Sequence, residues 1–280
     1  MKQSDITYQD KLSELRLDIS HPNSNGVVFI FVEGDSDIRL FRKLFNLQYC
    51  KVEFVPGGKL KLEECVATLS GLYPLIIGIR DADFIHLNDA AYSKTNIFIT
   101  DLHDMEMTLV AEDQVFSSLM FEHTSIIQEK HLEVRQNILN ALKGLSLLKL
   151  LNENEQLGYH FEDVGFQDLL IFPDYDLDLH QYFLRVLRKS FEPVITDYSI
   201  VLQKVNVLKA SNPDLFQLCN GHDCIKALSK YLREYGQAKS ISDEIISSSL
   251  RMVFNESHHR KTTLFLNTKS WADSNDCEIY

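Results

Sequence analysis

Three carboxylates placed just past apolar runs are the residues whose type and spacing could do chemistry. Glu33 follows Val27-Val28-Phe29-Ile30-Phe31-Val32, and Asp81-Ala82-Asp83 follows Leu75-Ile76-Ile77-Gly78-Ile79-Arg80. A continuous apolar run bounded by a turn signal fits a strand covered on both faces, as in a parallel α/β sheet. Working groups in such sheets collect at the carboxyl ends of the strands, so Glu33, Asp81 and Asp83 are expected along one edge. Carboxylates gathered there repel one another unless a cation or a proton neutralises them. Hard oxygen ligands suit Mg2+ or Mn2+. The pattern predicts a metal-dependent enzyme acting on phosphodiesters.

Neighbouring residues extend the candidate set. Gly34 is read as allowing a sharp turn and close approach of substrate. Asp35 and Ser36 read as caps of the helix that follows, and Asp37 is open between a cap and a supporting role in the site. Asp81 and Asp83, two residues apart, face the same way if the chain stays extended. The next apolar run, Asn96 to Thr100, also ends in acidic residues, Asp101-Leu102-His103-Asp104-Met105-Glu106. Thr100 or Asp101 is expected to cap the helix starting there. Glu106 is read as a further metal ligand, with Asp104 and His103 as candidate supporting groups.

The elements that must position these groups follow from periodicity. Strands are expected at 26–33, 51–55, 74–80 and 96–100, and helices at 36–46, 60–70 and 103–121, after a short helix within 1–20. Pro56-Gly57-Gly58 reads as a strand-to-helix turn, with Lys59 and Lys61 as phosphate contacts; its spacing does not match a phosphate-binding loop. Beyond residue 122, helical spacing dominates in 125–152, 177–190, 196–209, 222–236 and 241–254. The division expected is an N-terminal helix and loop at 1–25, a catalytic domain at 26–122 and a helical domain at 123–280. The fold class is α/β, a parallel sheet flanked by helices and followed by a mostly helical region.

Composition sets the frame. The 280 residues are 45% apolar and 24% charged, as in soluble domains, and no apolar run approaches the ~20 residues of a membrane span. The first residues lack the character of a signal peptide, so a cytoplasmic location without membrane association is expected. A net charge of −12 excludes a broad basic surface wrapping duplex DNA, though not a local patch. His258-His259-Arg260-Lys261 is the most cationic stretch, read either as a solvated turn or as a contact to a nucleic-acid backbone. The five scattered cysteines read as buried reduced thiols, with a zinc site at Cys219, His222 and Cys224 as the lesser alternative. Trp271 is a candidate docking anchor.

Val32-Glu33-Gly34-Asp35-Ser36-Asp37, Asp81-Ala82-Asp83 and the strand order between them resemble the TOPRIM domain of topoisomerases, DnaG-type primases and overcoming-lysogeny-defect nucleases. The run from Asn96 to Glu106, with Asn220-Gly221-His222-Asp223, is similar to a defence-associated TOPRIM group, the AriB-like effectors of the PARIS anti-phage system. The resemblance implies a nuclease in which Glu33 is a general acid/base or metal-proximal carboxylate and Asp81 and Asp83 hold the ion. It further implies a toxic effector, RNA (tRNA among the candidates) favoured over DNA as substrate, and a partner ATPase of the AriA-like kind. Separately, the amphipathic faces of residues 123–280 are read as an interface, either for a homodimer when active or for docking on that ATPase. The number of metal ions stays open.

Overall fold

The computed structural model describes residues 7–88, 92–236 and 239–280. Its elements, in chain order, are α1 (Tyr8–Ser20), β1 (Val28–Val32), α2 (Asp35–Leu44), β2 (Cys50–Phe54), α3 (Gly58–Ser70), β3 (Ile76–Arg80), β4 (Ile97–Ile99), α4 (Met105–Ala111) and α5 (Asp113–His123). They continue as α6 (His131–Glu155), β5 (Leu170–Ile171), β6 (Asp176–Leu177), α7 (Leu179–Lys189), α8 (Tyr198–Ala210), α9 (Leu215–Leu218), α10 (Gly221–Tyr235), α11 (Asp243–Val253), α12 (Glu256–His259) and α13 (Thr263–Ser274). Two compact units result. The first comprises Met1–Ala82, Ala91–Met105 and Phe254–Tyr280, and the second Asp83–Ala90 and Glu106–Val253. The units cross the boundary expected near 122: residues 106–122 cluster with the helices, and the last 27 residues join the sheet.

In the first unit four strands pair in the order β2-β1-β3-β4, all parallel. Every residue of β1 and β3 is buried, which is why both read as apolar runs, broken in β3 only by the terminal Arg80, rather than as alternating ones. Phe29 and Phe31 meet Leu12, Leu15 and Ile19 of α1 and Leu62, Val66 and Leu69 of α3. Val28, Ile30 and Val32 alternate to the other face and are equally buried.

Gly78 lies where α3 crosses β3. A Cβ there would stand 2.7 Å from Ile97 Cδ1 and 2.8 Å from Val66 Cγ2, and the helical valine has one strongly preferred rotamer. Gly78→Val is therefore expected to cost about 1–3 kcal/mol through overpacking, measured by urea unfolding. A variant as stable as wild type would contradict this seating of α3.

The C-terminal residues, expected within the helical domain, instead complete the sheet unit. Asp101 accepts hydrogen bonds from the backbone N–H groups of Thr263 (2.6 Å) and Leu264 (2.8 Å), so it helps Thr262 cap the start of α13. Trp271 Nε1 donates to Asn96 Oδ1 at 3.1 Å. That is a contact within the unit, not the external anchor expected. His259 is fully buried among Phe41, Phe45, Phe265 and Tyr280.

In the second unit α6 is the central helix, packed by α5, α7, α8, α9 and α10. The single helix expected over 103–121 is two, broken at Glu112, whose backbone is extended. Arg135 of α6 explains the break. Its guanidinium donates to the carbonyls of Val110 (3.0 Å) and Ala111 (2.9 Å), closing the end of α4, and to Asp113 Oδ1 (2.7 Å) at the start of α5. β5 and β6 form a two-stranded antiparallel ribbon that helical spacing alone did not foresee.

Candidate active site

The strand order fixes where a site can form. The chain leaves β1 toward β2 on one side and later extends through β3 to β4 on the other. The reversal falls between β1 and β3, the switch point at which open α/β sheets bind ligands outside the strand ends. Glu33 follows the last residue of β1 and Asp81 the last residue of β3, and the two strands pair with Val32 opposite Ile79.

The Glu33 carboxylate reaches the Asp81 backbone there. Glu33 Oε1 accepts the backbone N–H of Asp81 at 3.2 Å, while Asp81 Oδ1 accepts that of Met105, the first residue of α4, at 3.2 Å. Asp81 thus caps the helix that begins in the acidic run. Thr100 Oγ1 accepts the N–H of Ala82 at 3.0 Å and donates to the Leu102 carbonyl at 2.8 Å, pinning the chain between the aspartates. Thr100 is a brace across this turn.

A cation stands beside this pair. Arg80 is buried; its Nε donates to the Asp81 carbonyl at 2.9 Å and lies 4.0 Å from Glu33 Oε1. Its Nη1 donates to Glu63 at 2.8 Å, and its guanidinium lies over the Tyr92 ring at 5.4 Å. Glu63 also accepts from Tyr92 Oη and from Lys94. Burial alone would raise the Glu63 carboxyl, but the bonds from Lys94, Tyr92 and Arg80 outweigh it and bring the pKa down to about 2. This network went unread in the sequence. The available signal was a single arginine ending an otherwise apolar strand.

The other predicted residues are placed as follows. Asp83 has φ +50, so the extended geometry that would face it the same way as Asp81 ends with the strand. Asp83 and Glu106 each begin a stretch of the helical unit; Glu106 is buried in the first turn of α4. His103 and Asp104, in the sheet unit, are also buried. Gly34 has φ −130, which any residue adopts, so it makes no special turn; a Cβ there would crowd Asp37 Oδ2 at 3.1 Å. Asp37 Oδ2 accepts the Gly34 N–H at 3.0 Å, a capping contact of α2. The side chain of Asp35 lies outside the described ones.

Lys59 and Lys61 lie at the start of α3, with positive φ at its N-cap Gly57 and its first residue Gly58. Lys61 pairs with Glu64 at 2.6 Å and lies over Tyr8. The cationic stretch at 258–261 divides. His258 and His259 are buried, because the residues around them form core rather than the surface expected. His258 Nδ1 accepts the Asn255 N–H at 3.1 Å. Arg260 is exposed and paired with Glu256, and Lys261 is exposed. Cys219 and Cys224 are buried thiols with His222 exposed between them. The Asp-x-Asp spacing also occurs at Asp35-Ser36-Asp37 and at Asp174, Asp176 and Asp178, the last three around β6 of the ribbon.

Among the described residues no three His, Cys, Asp or Glu side chains form a group that could hold a metal ion by themselves. Mg2+ does not require one, since it is commonly held by one or two carboxylates with water and substrate phosphate completing its shell. The all-oxygen pair Glu33 and Asp81 fits that mode. No protein-family model matches the chain, and no curated protein matches it. No helix among the described residues is long and apolar enough to cross a membrane.

Proposed function

We propose that this chain is a TOPRIM-type, metal-dependent nuclease. The observation that supports the reading best is that Glu33 and Asp81 both end strands at the switch point of a β2-β1-β3-β4 parallel sheet, where the Glu33 carboxylate accepts the Asp81 N–H. Bound there, Mg2+ or Mn2+ would supply Lewis-acid stabilisation of the charge developing on a phosphodiester. Glu33 offers its carboxylate to the ion or to a proton of the attacking water. Arg80 limits the repulsion between the carboxylates, and Asp81 anchors the start of α4. On this proposal the chain is the toxic effector of an anti-phage system, cleaving RNA, tRNA above all, when a partner ATPase releases it in the cytoplasm. Assembly as a homodimer belongs to the same proposal. The exposed apolar side chains of the helical unit, Phe191, Val194 and Val207 among them, are consistent with an assembling surface.

The test is incubation of the purified protein, alone and with its partner ATPase, with labelled tRNA, single-stranded DNA and plasmid, with Mg2+ and with EDTA. Magnesium-dependent RNA cleavage supports the proposal. No cleavage of any substrate favours a second reading, an idle TOPRIM-like scaffold or sensor for a partner ATPase. The Arg80 guanidinium beside Glu33 is the observation in favour of that reading.

Metal binding has a separate consequence. An ion that binds only the folded protein stabilises it by mass action, about 2.7 kcal/mol at 100 times Kd. Magnesium at fixed ionic strength is therefore expected to raise Tm in wild type and to lose this effect in Asp81→Asn. The asparagine keeps an oxygen for the Met105 N–H, so the metal-free variant should match wild type in stability. An equal magnesium shift in both proteins would place the ion elsewhere.

A further inference from the structure

The helical unit contains a cavity of about 220 Å³ that the proposed chemistry does not use. Lys149 of α6 and Asp223 of α10 face each other in it, Nζ donating to Oδ2 at 2.5 Å, with side chains only 21% and 10% exposed. Tyr182 of α7, 1% exposed, also lines the cavity, and no described residue hydrogen-bonds its hydroxyl. Burial, with the Asp223 charge, raises the pKa of this phenol, so it stays a neutral donor. Phe161 and Phe166 form apolar walls, the Phe161 ring 5.9 Å from the Lys149 ammonium. Lys226, one helical turn beyond Asp223, is exposed at the rim.

These groups select among ligands. A simple anion would be repelled by Asp223, and a simple cation by Lys149 and Lys226. An apolar ligand would leave a buried ion pair and a phenol without water, at a cost. A flat ring carrying both donors and acceptors on its edge satisfies all of them. The volume is below the roughly 300–1,000 Å³ of pockets for drug-sized ligands, so it admits one ring system. We infer that this cavity receives one unpaired nucleobase of a single-stranded RNA segment, its edge read by Tyr182, Asp223 and Lys149, with Lys226 on the flanking phosphate. Recognition of splayed bases against aromatic walls is how proteins commonly read single-stranded RNA. The inference rests on the nucleic-acid reading proposed above.

The test measures binding without cleavage. The full chain, in EDTA, is titrated into single-stranded oligo(A) and oligo(U) carrying one 2-aminopurine, with anisotropy for Kd and base fluorescence for unstacking. Tyr182→Phe removes a hydroxyl without partners among the described residues, so Tm should not change while binding weakens about tenfold, the worth of one hydrogen bond. Lys226→Met should weaken binding of all sequences alike and lower the salt slope by about one. Adenosine monophosphate should compete for the site, and inorganic phosphate should not. Wild-type binding by Tyr182→Phe, competition by phosphate equal to that of the nucleotide, or no binding of either oligonucleotide would each overturn the inference. The two claims fail separately. Binding lost in Tyr182→Phe from a protein that never cleaves with Mg2+ removes the nuclease and keeps the pocket. Cleavage with unaltered binding in that variant does the reverse.

Discussion

Glu33→Gln should lower RNA cleavage about 10²-fold or more, the usual scale for a positioned acid/base group, with little change in Tm. The substitution keeps the shape and leaves an oxygen to accept the Asp81 N–H now bonded to Glu33 Oε1. It removes the negative charge and the basic oxygen that the proposed chemistry uses. Arg80 sharpens the expectation. Its Nε lies 4.0 Å from the carboxylate but is already committed to the Asp81 carbonyl, and its Nη1 to Glu63. The network therefore persists when Glu33 becomes neutral, and structure is separated from catalysis. Single-turnover cleavage of labelled RNA at saturating Mg2+ measures the effect. Wild-type turnover in a well-folded variant would remove Glu33 from the mechanism.

The second large effect concerns stability in acid and arises far from the carboxylates. His259 is fully buried, its Nε2 3.1 Å from Tyr280 Oη, and burial lowers its pKa from 6.5 to about 4, against a smaller opposing pull from Glu256. The unfolded chain takes up a proton on this histidine below pH 6.5 that the folded protein refuses until about pH 4. The stability at stake is complete above pH 6.5 and is lost as pH falls toward 4, by roughly 3 kcal/mol at 1.36 kcal/mol per unit. Urea unfolding between pH 7.5 and 4.5 should show this loss in wild type and not in His259→Phe, which keeps a ring in the aromatic cluster. Carboxylates common to both proteins cancel in the comparison. Parallel stability curves would contradict the assignment.

The sheet was legible because its chemistry is local. Buried parallel strands expose nothing to water, so β1 and β3 appear as apolar runs up to Arg80, and the residues ending them mark the edge where groups collect. The convergence of Glu33 and Asp81 follows from that reading. Features set by residues distant in sequence were not legible. Arg135 closes α4 and splits a helix that periodicity draws as one. Asp101 caps a helix more than 160 residues away, so the C-terminal segment, which reads as part of the helical domain, folds with the sheet unit. His258 and His259 read as a cationic surface because composition does not reveal the aromatic residues that bury them. Asp83 departs from the expected pairing because extended alternation ends with the strand, and its backbone turns to positive φ.

The account stands on Glu33 and Asp81 acting together as a divalent-cation site. Titration of the purified protein with Mn2+, followed by the electron paramagnetic resonance signal of the free ion, tests this without substrate, partner or turnover. Wild type should remove free Mn2+ from solution, Mg2+ should displace it, and Glu33→Gln/Asp81→Asn should leave the signal close to that of buffer. Identical titration curves for wild type and the double variant would contradict the assignment of the site.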